Sequence, residues 1–178
     1  MFDVIIIGGG HAGVEAAHAV HRQGLSCCLV TFKTGTIGQM SCNPAIGGLG
    51  KSHLVREVDA LGGIMALATD RSGIQSRTLN TRKGFAVQAL RVQCDRDKYK
   101  QAIQQILSDT DIIVKEGEVV DILLEDNIIQ GVELRTGEMV SSKKTILTTG
   151  TFLNGVMFKG SEKMSGGRVG DDTSIPLS

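Results

Sequence analysis

The sequence predicts an α/β fold in which a mainly parallel sheet carries an antiparallel meander. Three observations lead to this prediction: a glycine turn between a strand and a helix at the N-terminus, a second apolar strand after that helix, and three short strands with polar turns between residues 118 and 142. Buried parallel strands are continuous apolar runs, whereas meander strands are short and separated by turn residues. Both patterns occur in this chain, so a fold that combines them is expected.

The N-terminal strand is the β-branched apolar run from Val4 to Ile7, which we expect to be buried on both faces. Three consecutive glycines follow it. An Ala-rich helical pattern then extends from about residue 11 to 23, and Gly24 ends it.

The glycines of this turn stand in G-x-G-x-x-G spacing at Gly8, Gly10 and Gly13. In order, they permit a tight turn, a close approach of the backbone to a pyrophosphate, and close packing of the helix on the strand. The N–H groups and the positive dipole end of the helix would face the phosphates. The segment therefore predicts a dinucleotide site.

The second strand, 26–32, has an unusual end. Dinucleotide-binding folds usually place a carboxylate there, which binds the ribose hydroxyls. No acidic residue stands between Glu15 and Glu57, although Thr31 could bind a ribose and Lys33 a phosphate. This absence disfavours an ordinary NAD dehydrogenase and leaves FAD and NADP open.

The middle of the chain has less regular patterns. Residues 34–52 have the composition of a loop, and 51–61 carry an apolar stripe typical of a helix. Residues 64–94 are mixed and basic, with weak periodicity. Asp95 is expected to be the N-cap of a helix that extends to about Leu107.

The elements after this helix separate FAD from NADP. Residues 112–114 predict a third parallel strand, and 118–142 predict three antiparallel strands with turns at 126–127 and 136–137. A further buried strand is expected at 145–149. NADP-only Rossmann domains seldom insert such a meander, so the order favours a Rossmann-like FAD-binding domain of the glutathione-reductase type.

Charge is unevenly distributed along a chain whose formal net charge is zero. Residues 51–100 contain ten Lys or Arg against five Asp or Glu, a net +5, which leaves −5 for the remainder. Solvated helix faces would explain most of these charges. The alternative explanation for the excess of Lys and Arg is a basic surface that binds a phosphate-rich partner.

The cysteine pattern indicates a reducing, cytoplasmic setting with free thiols. There is no signal peptide and no apolar run long enough to span a membrane, so we expect no membrane association. No C-x-x-C pair is present, and no metal site is expected. The four cysteines are Cys27, Cys28, Cys42 and Cys94.

Several segments together resemble the MnmG (GidA) family of FAD-dependent tRNA uridine-5-carboxymethylaminomethyl modification enzymes. The segments are G-G-G-H-A-G-V-E-A-A, G-Q-M-S-C-N-P-A-I-G-G-L-G-K, E-V-D-A-L-G-G, G-T-F-L-N-G and S-G-G-R-V-G-D-D-T-S-I-P-L-S. The resemblance extends over all 178 residues. Folate-dependent tRNA uracil-methylating relatives share the opening glycines but lack the S-C-N-P-A-I-G-G block.

The resemblance implies a cytosolic enzyme that works with the GTPase MnmE on the wobble uridine of certain tRNAs. FAD, methylene-tetrahydrofolate as one-carbon donor, NADH as flavin reductant, and glycine or ammonium would take part. The full-length protein is expected to be a homodimer. One departure is that the family usually has K-G-P-A-V-R where this chain has K-G-F-A-V-Q at residues 83–88, which puts tRNA contacts there in doubt.

The resemblance also implies roles for individual residues. Val119 would meet the adenine end of FAD, Ser174 would touch the flavin cofactor, and Cys42 would be one of two catalytic cysteines. The FAD pyrophosphate would be bound by the turn residues Gly8, Gly9, Gly10, His11, Ala12 and Gly13.

Cys42 is also a candidate on chemical grounds. A thiolate that adds to uracil C6 makes C5 nucleophilic, and a thiolate can equally carry a one-carbon unit. Lys33 and Lys51 are near in sequence and could lower the thiol pKa. The alternative is a buried, inert thiol, the more common fate of a cysteine and the one expected for the other three.

The domain prediction is one FAD-binding domain over residues 1–178, an incomplete N-terminal portion with a basic loop and helix insertion at about 34–94. The tail after residue 150 is rich in loops, so we expect a fragment that is inactive alone. Two other functions stay open: an FAD- or NADP-linked oxidoreductase of a small metabolite, and a nucleotide-binding module that contacts RNA without redox chemistry.

Overall fold

The computed structural model describes residues 1–41, 43–166, 174 and 177. In this part, short 3-10 turns occur at Thr34–Thr36 and Phe85–Val87. The α-helices are α1 (His11–Arg22), α2 (Lys51–Ala60), α3 (Met65–Ser72) and α4 (Arg96–Ser108). The strands are β1 (Phe2–Ile7), β2 (Cys27–Thr31), β3 (Ala45–Gly47), β4 (Gly73–Leu79), β5 (Ala89–Cys94), β6 (Ile113–Glu116), β7 (Val119–Glu125), β8 (Ile128–Leu134), β9 (Met139–Leu147), β10 (Val156–Lys159) and β11 (Glu162–Ser165).

The chain divides into two compact units. The first unit contains residues 1–35 and 111–178, and the second contains residues 36–110. A six-stranded sheet in the order β6-β2-β1-β9-β8-β7 organises the first unit. Strands β6, β2, β1 and β9 are parallel, and β9, β8 and β7 form antiparallel pairs. This order confirms the predicted α/β class with its meander.

The strand and helix at the N-terminus form as predicted. Ile5 and Ile6 point to opposite faces of the central strand β1, and both are fully buried. Helix α1 buries Val14, Ala17 and Val20, which recur at intervals of three residues and therefore share one face. Burial of a Val or Ile side chain stabilises the fold by about 1.5–3 kcal/mol, and burial of the alanine methyl group contributes less.

Strand β9 corrects one prediction. The sequence predicted separate strands before residue 142 and after residue 145, whereas one strand extends from Met139 to Leu147. Its first half pairs with β8 and its second half with β1, so the backbone hydrogen bonds continue through the polar Lys143 and Lys144. The expected burial of the strand after residue 145 is also wrong, because Ile146 and Leu147 are 38% and 46% exposed.

The meander supplies part of the core of the first unit. Its first turn has positive φ at Asp126 (49°) and Asn127 (61°), the conformation of a two-residue hairpin turn. Gly137 has a φ of 82° in the second turn, as its residue type predicts. The buried cluster joins two strands of the parallel sheet to the meander: Ile5, Ile7, Cys28, Val30, Val119, Val132, Leu134 and Val140.

The second unit contains a three-stranded antiparallel sheet in the order β3-β5-β4. Weak periodicity concealed β4 and β5, because β4 is an edge strand that is exposed from Gly73 to Thr78. Strand β3 lies inside the segment predicted to be loop. Helix α4 confirms its prediction, since the Asp95 carboxylate accepts hydrogen bonds from the amides of Asp97 (3.0 Å) and Lys98 (2.9 Å).

Helix α2 forms where the apolar stripe predicted it, but the stripe is not buried. Leu54 and Leu61 are 62% and 78% exposed. The pattern therefore located the helix correctly and misjudged its environment. In the described part of the chain, no helix is long and apolar enough to cross a membrane.

Candidate functional site

The glycine turn of the first unit has a different steric environment at each glycine. A Cβ on Gly8, whose φ is +109°, would lie 2.4 Å from the carbonyl oxygen of Thr148. A Cβ on Gly13 would lie 1.8 Å from the carbonyl oxygen of Gly8. Both positions therefore require glycine, one for the turn and one for the contact between helix and turn.

Gly10 differs from the other two glycines because its surroundings are open. A Cβ there would meet no atom of the described residues within 4 Å. Gly10 is the N-cap of α1 and has no side chain to cap the helix, and the first turn of the helix has no acidic residue. A helix N-terminus without a side-chain cap is suited to bind an anion through its N–H groups and its dipole. The geometry therefore fits a phosphate group that approaches the backbone at Gly10.

The other residues of the turn have mixed exposure. Gly9 is buried, Ala12 is exposed, and His11 is partly buried with its Nε2 atom shielded from solvent. Their assignment to a cofactor stays a prediction.

Thr148 supports the turn from behind, and the sequence analysis did not identify it. Its hydroxyl lies 2.8 Å from the carbonyl oxygen of Ile7 and 3.1 Å from that of Gly8, so it can donate to either. Its amide donates to the same Ile7 oxygen at 2.9 Å. A sequence signal for Thr148 was available, because T-T-G at residues 148–150 directly follows an apolar strand. The parallel pairing of β1 with β9 places the end of that strand next to the glycine turn.

The end of β2 does have a carboxylate next to it, which the sequence could not reveal. Glu116 ends β6 and pairs with Thr31, the last residue of β2. Its carboxylate accepts hydrogen bonds from the amide (2.8 Å) and the hydroxyl (3.0 Å) of Thr34. These hydrogen bonds, with a smaller effect of Lys33, hold the pKa of Glu116 below its ordinary value. The lack of an acid in β2 is therefore a weaker argument against NAD than the sequence implied.

Val119 and Ser174 are far apart in sequence, but the fold links them through Glu118. Ser174 is 4% exposed, and its hydroxyl donates to Glu118 Oε1 at 3.2 Å. Val119 is buried at the start of β7, directly after Glu118. Arg135 binds the Glu118 carboxylate with two nitrogens, and this contact first, then Ser174, lowers the pKa of Glu118.

The backbone fixes the position of Ser174 independently of its hydroxyl. Its amide donates to the Phe152 carbonyl, and its carbonyl accepts from the Asn154 amide, both at 2.8 Å. Ser174 also forms an isolated parallel bridge with Leu153. The cofactor contact assigned to Ser174, like the adenine contact of Val119, stays a prediction.

Cys42, the predicted catalytic residue, lies outside the described residues. The other three cysteines are buried free thiols. Burial raises the pKa of Cys27 to about 12 and that of Cys28 to about 11, and it also raises the pKa of Cys94. These three side chains are therefore protonated at neutral pH, which makes them poor nucleophiles.

The two lysines expected to assist Cys42 lie in different units, Lys33 in the first and Lys51 in the second. Lys51 Nζ donates to the Ala45 carbonyl at 3.3 Å, and desolvation there lowers its pKa. Within the described residues, no group of three or more His, Cys, Asp or Glu side chains is placed to bind a metal ion.

Comparison with known proteins gives a family match and three informative structures. The family "Glucose inhibited division protein A" (GIDA) matches residues 3–178. The structure of Aquifex aeolicus GidA is 47% identical with a TM-score of 0.93, and the match covers 99% of this chain and 29% of that one. This chain therefore spans less than a third of the Aquifex protein.

More distant structures show the fold alone. The GidA-related protein from Thermus thermophilus is 18% identical with a TM-score of 0.71, and the match covers 99% of this chain and 65% of that one. Glycine oxidase from Bacillus cereus is 19% identical with a TM-score of 0.57, over 85% of this chain and 56% of that one. The fold, the match over residues 3–178 and the 47% identity to the Aquifex protein together show that this chain belongs to the GidA family.

Proposed function

We propose that this chain is the FAD-binding part of a flavin-dependent enzyme that modifies tRNA. The observation that carries the proposal is the glycine turn in a member of the GidA family. Gly8 and Gly13 leave no room for a Cβ, whereas Gly10 leaves open space at a helix N-terminus that no side chain caps. That arrangement fits a pyrophosphate, which needs backbone donors and close approach.

The chain's own residues would bind and orient the cofactor. The amides at the start of α1 would bind the pyrophosphate, and Thr148 would hold the turn in place through the Ile7 and Gly8 carbonyls. Val119 would contact the adenine end, and Ser174 would contact the cofactor from a position held by its backbone hydrogen bonds. Bound FAD would supply the redox chemistry of the reaction.

The finer proposal concerns the reaction. The enzyme would build a (carboxymethyl)aminomethyl group on C5 of the wobble uridine together with MnmE. NADH would reduce the flavin, methylene-tetrahydrofolate would supply the one-carbon unit, and glycine or ammonium would supply the amine. We expect a homodimer in the cytoplasm, where the thiols of Cys27, Cys28 and Cys94 would stay reduced.

Cys42 would act as a nucleophile in this reaction. Its thiolate would add to uracil C6 and so make C5 nucleophilic, or it would carry the one-carbon unit. The burial of the other three cysteines supports this choice, because their raised pKa values suit neither role.

A visible absorption spectrum of the full-length protein tests the cofactor. We expect flavin absorbance in the purified protein or after addition of FAD. A colourless protein that takes up no added FAD would contradict the proposal and favour NADP or a module without redox chemistry.

Cys42→Ser in the full-length protein tests the nucleophile, with Cys94→Ser as the matched control. Wobble-uridine modification of tRNA should be lost in the first variant and kept in the second. Activity retained in Cys42→Ser would remove this residue from the mechanism.

A further inference from the structure

Two arginines face each other on the sheet of the second unit. Arg77 on β4 and Arg91 on β5 are direct partners in the antiparallel register. Directly opposed residues project from the same face with Cβ atoms about 5 Å apart, and like charges in such a pair destabilise the sheet. The pair therefore needs an explanation beyond the stability of the sheet.

The face that carries the pair offers it no counter-charge. Arg91 has Gly47 as its partner on the β3 side, and glycine has no side chain that could carry a counter-charge. No ion pair within the described part of the chain involves Arg77 or Arg91. The neighbouring residues on this face are all neutral: Gln75, Leu79, Ala89, Gln93 and Ala45.

A third cation lies near the arginine pair, and a hydrogen bond connects Arg91 to the segment that contains Cys42. Arg91 Nη2 donates to Asn43 Oδ1 at 3.1 Å, and Asn43 directly follows Cys42 in the chain. Lys51 is close enough that Arg91, after burial, contributes to the lowered pKa of its ammonium group. Among the described residues of the second unit, Arg77, Arg91 and Lys51 thus lie in one region, and none of them forms an ion pair.

We propose that Arg77 and Arg91 bind a backbone phosphate of the RNA substrate on this sheet face. Arginine binds phosphate through its planar fork of N–H donors, and an anion between the two guanidiniums would turn their repulsion into attraction. The proposal rests on the proposed function, because it assumes an RNA substrate.

The exposure of β4 favours a polymer over a small anion. Strand β4 is an edge strand that is exposed from Gly73 to Thr78, so Arg77 is accessible to a large ligand. A nucleic-acid backbone can lie across an exposed surface and present successive phosphates to it, and such phosphate contacts do not depend on sequence. Gln75 and Gln93, which oppose each other beside the arginines, would add amide donors.

The test is RNA binding by the full-length protein with Arg77→Gln, measured by fluorescence anisotropy with a labelled tRNA anticodon-arm hairpin. The loss of one phosphate contact should lower the slope of log affinity against log salt by about 0.7–0.9. The ratio of the RNA affinity of the unchanged protein to that of Arg77→Gln should then fall about 2.5- to 3.5-fold between about 50 and 200 mM salt. The loss should be equal for hairpins of different sequence.

Thermal unfolding separates binding from structure. Because Arg77→Gln removes a repulsion, its unfolding temperature should equal or exceed that of the unchanged protein. A marked decrease would show that the pair stabilises the fold, and it would overturn the proposal. Arg77→Lys, which keeps the charge, should retain more RNA affinity than Arg77→Gln.

Arg96→Gln is the matched control, since Arg96 is an exposed arginine on α4, outside this sheet. An equal loss of affinity in Arg96→Gln, or no loss in Arg77→Gln, would contradict the proposal. Binding of a labelled pentaglutamate peptide is measured with the same variants. If Arg77→Gln weakens binding of the peptide but not of the hairpin, the site binds carboxylates and the proposal is overturned. Flavin absorbance of the same samples shows whether the flavin proposal survives independently.

Discussion

Gly13→Ala is a direct test of the glycine turn, because the added methyl group has no room. The Cβ would lie 1.8 Å from the Gly8 carbonyl oxygen and 2.9 Å from Thr148 Oγ1. Since nonbonded heavy atoms normally stay about 3.5 Å apart, the start of α1 must move away from the turn by about 1.7 Å.

The expected cost follows from two opposing effects. Overpacking of this kind costs typically about 1–3 kcal/mol, and the upper end applies because the contact is with backbone. Alanine in a helix recovers about 1 kcal/mol relative to glycine. The net loss of about 2 kcal/mol should lower the unfolding temperature by about 4–8 °C for a chain of this size. The displaced amides should weaken FAD binding tenfold or more, because hydrogen bonds to charged groups contribute about 1.5–3 kcal/mol.

Gly10→Ala is the matched control with the same chemical change. Its Cβ would meet no atom of the described residues within 4 Å, and its φ of −76° suits any residue. The unfolding temperature should fall by no more than the few degrees expected from about 1 kcal/mol at an N-cap. FAD binding should still weaken, because the methyl group would occupy the space proposed for the pyrophosphate.

Thermal unfolding of the two variants tests the packing of the turn, and FAD titration tests the assignment of the pyrophosphate. The reasoning about the turn is refuted if Gly13→Ala unfolds at the same temperature as the unchanged protein. The assignment of the pyrophosphate is refuted if both variants bind FAD with unchanged affinity.

Three further predictions address other parts of the chain. Thr148→Val should cost about 1–2 kcal/mol in urea unfolding, because the Ile7 and Gly8 carbonyls lose the hydroxyl donor that either can use. An unchanged midpoint would show that the hydroxyl has no role. Hydrogen bonds from Lys143 and then Ser26 hold the pKa of Asp3 in the folded protein well below its ordinary value. The Asp3 carboxylate therefore stabilises the folded state at a pH above the pKa of the unfolded chain, and this stabilisation is lost as the pH falls through the pKa of the folded protein. The difference in urea midpoint between the unchanged protein and Asp3→Asn should therefore be full above about pH 5 and shrink below about pH 4, and a difference independent of pH would contradict this. In iodoacetamide labelling followed by peptide mapping, three thiols should react only after unfolding, and labelling in the folded state would contradict their burial: Cys27, Cys28 and Cys94.

Some elements were predictable because the signals that specify them are local. The capping of α4 by Asp95 depends on residues within three positions of each other, so the sequence locates it. The hairpin turn at Asp126 and Asn127 is equally local, because both residue types tolerate positive φ. By contrast, β4 was missed because an edge strand exposed on both faces has no alternating pattern to detect.

Where the prediction of β9 failed, the reason was also physical. Lys143 and Lys144 interrupt the apolar pattern, so the sequence suggested two strands. Hydrogen bonding to two different neighbours, β8 and then β1, keeps the strand continuous across them. Pairing partners far away in sequence decided what the local pattern could not.

By itself, the sequence determined the strand, the glycine turn and the helix at the N-terminus, because spacing, φ preferences and periodicity act over a few residues. Only the tertiary structure placed Glu116 at the end of β2, Thr148 behind Gly8 and Arg77 opposite Arg91. Each of these contacts depends on strand register, which joins residues distant in the chain and leaves no mark on the residues around either partner.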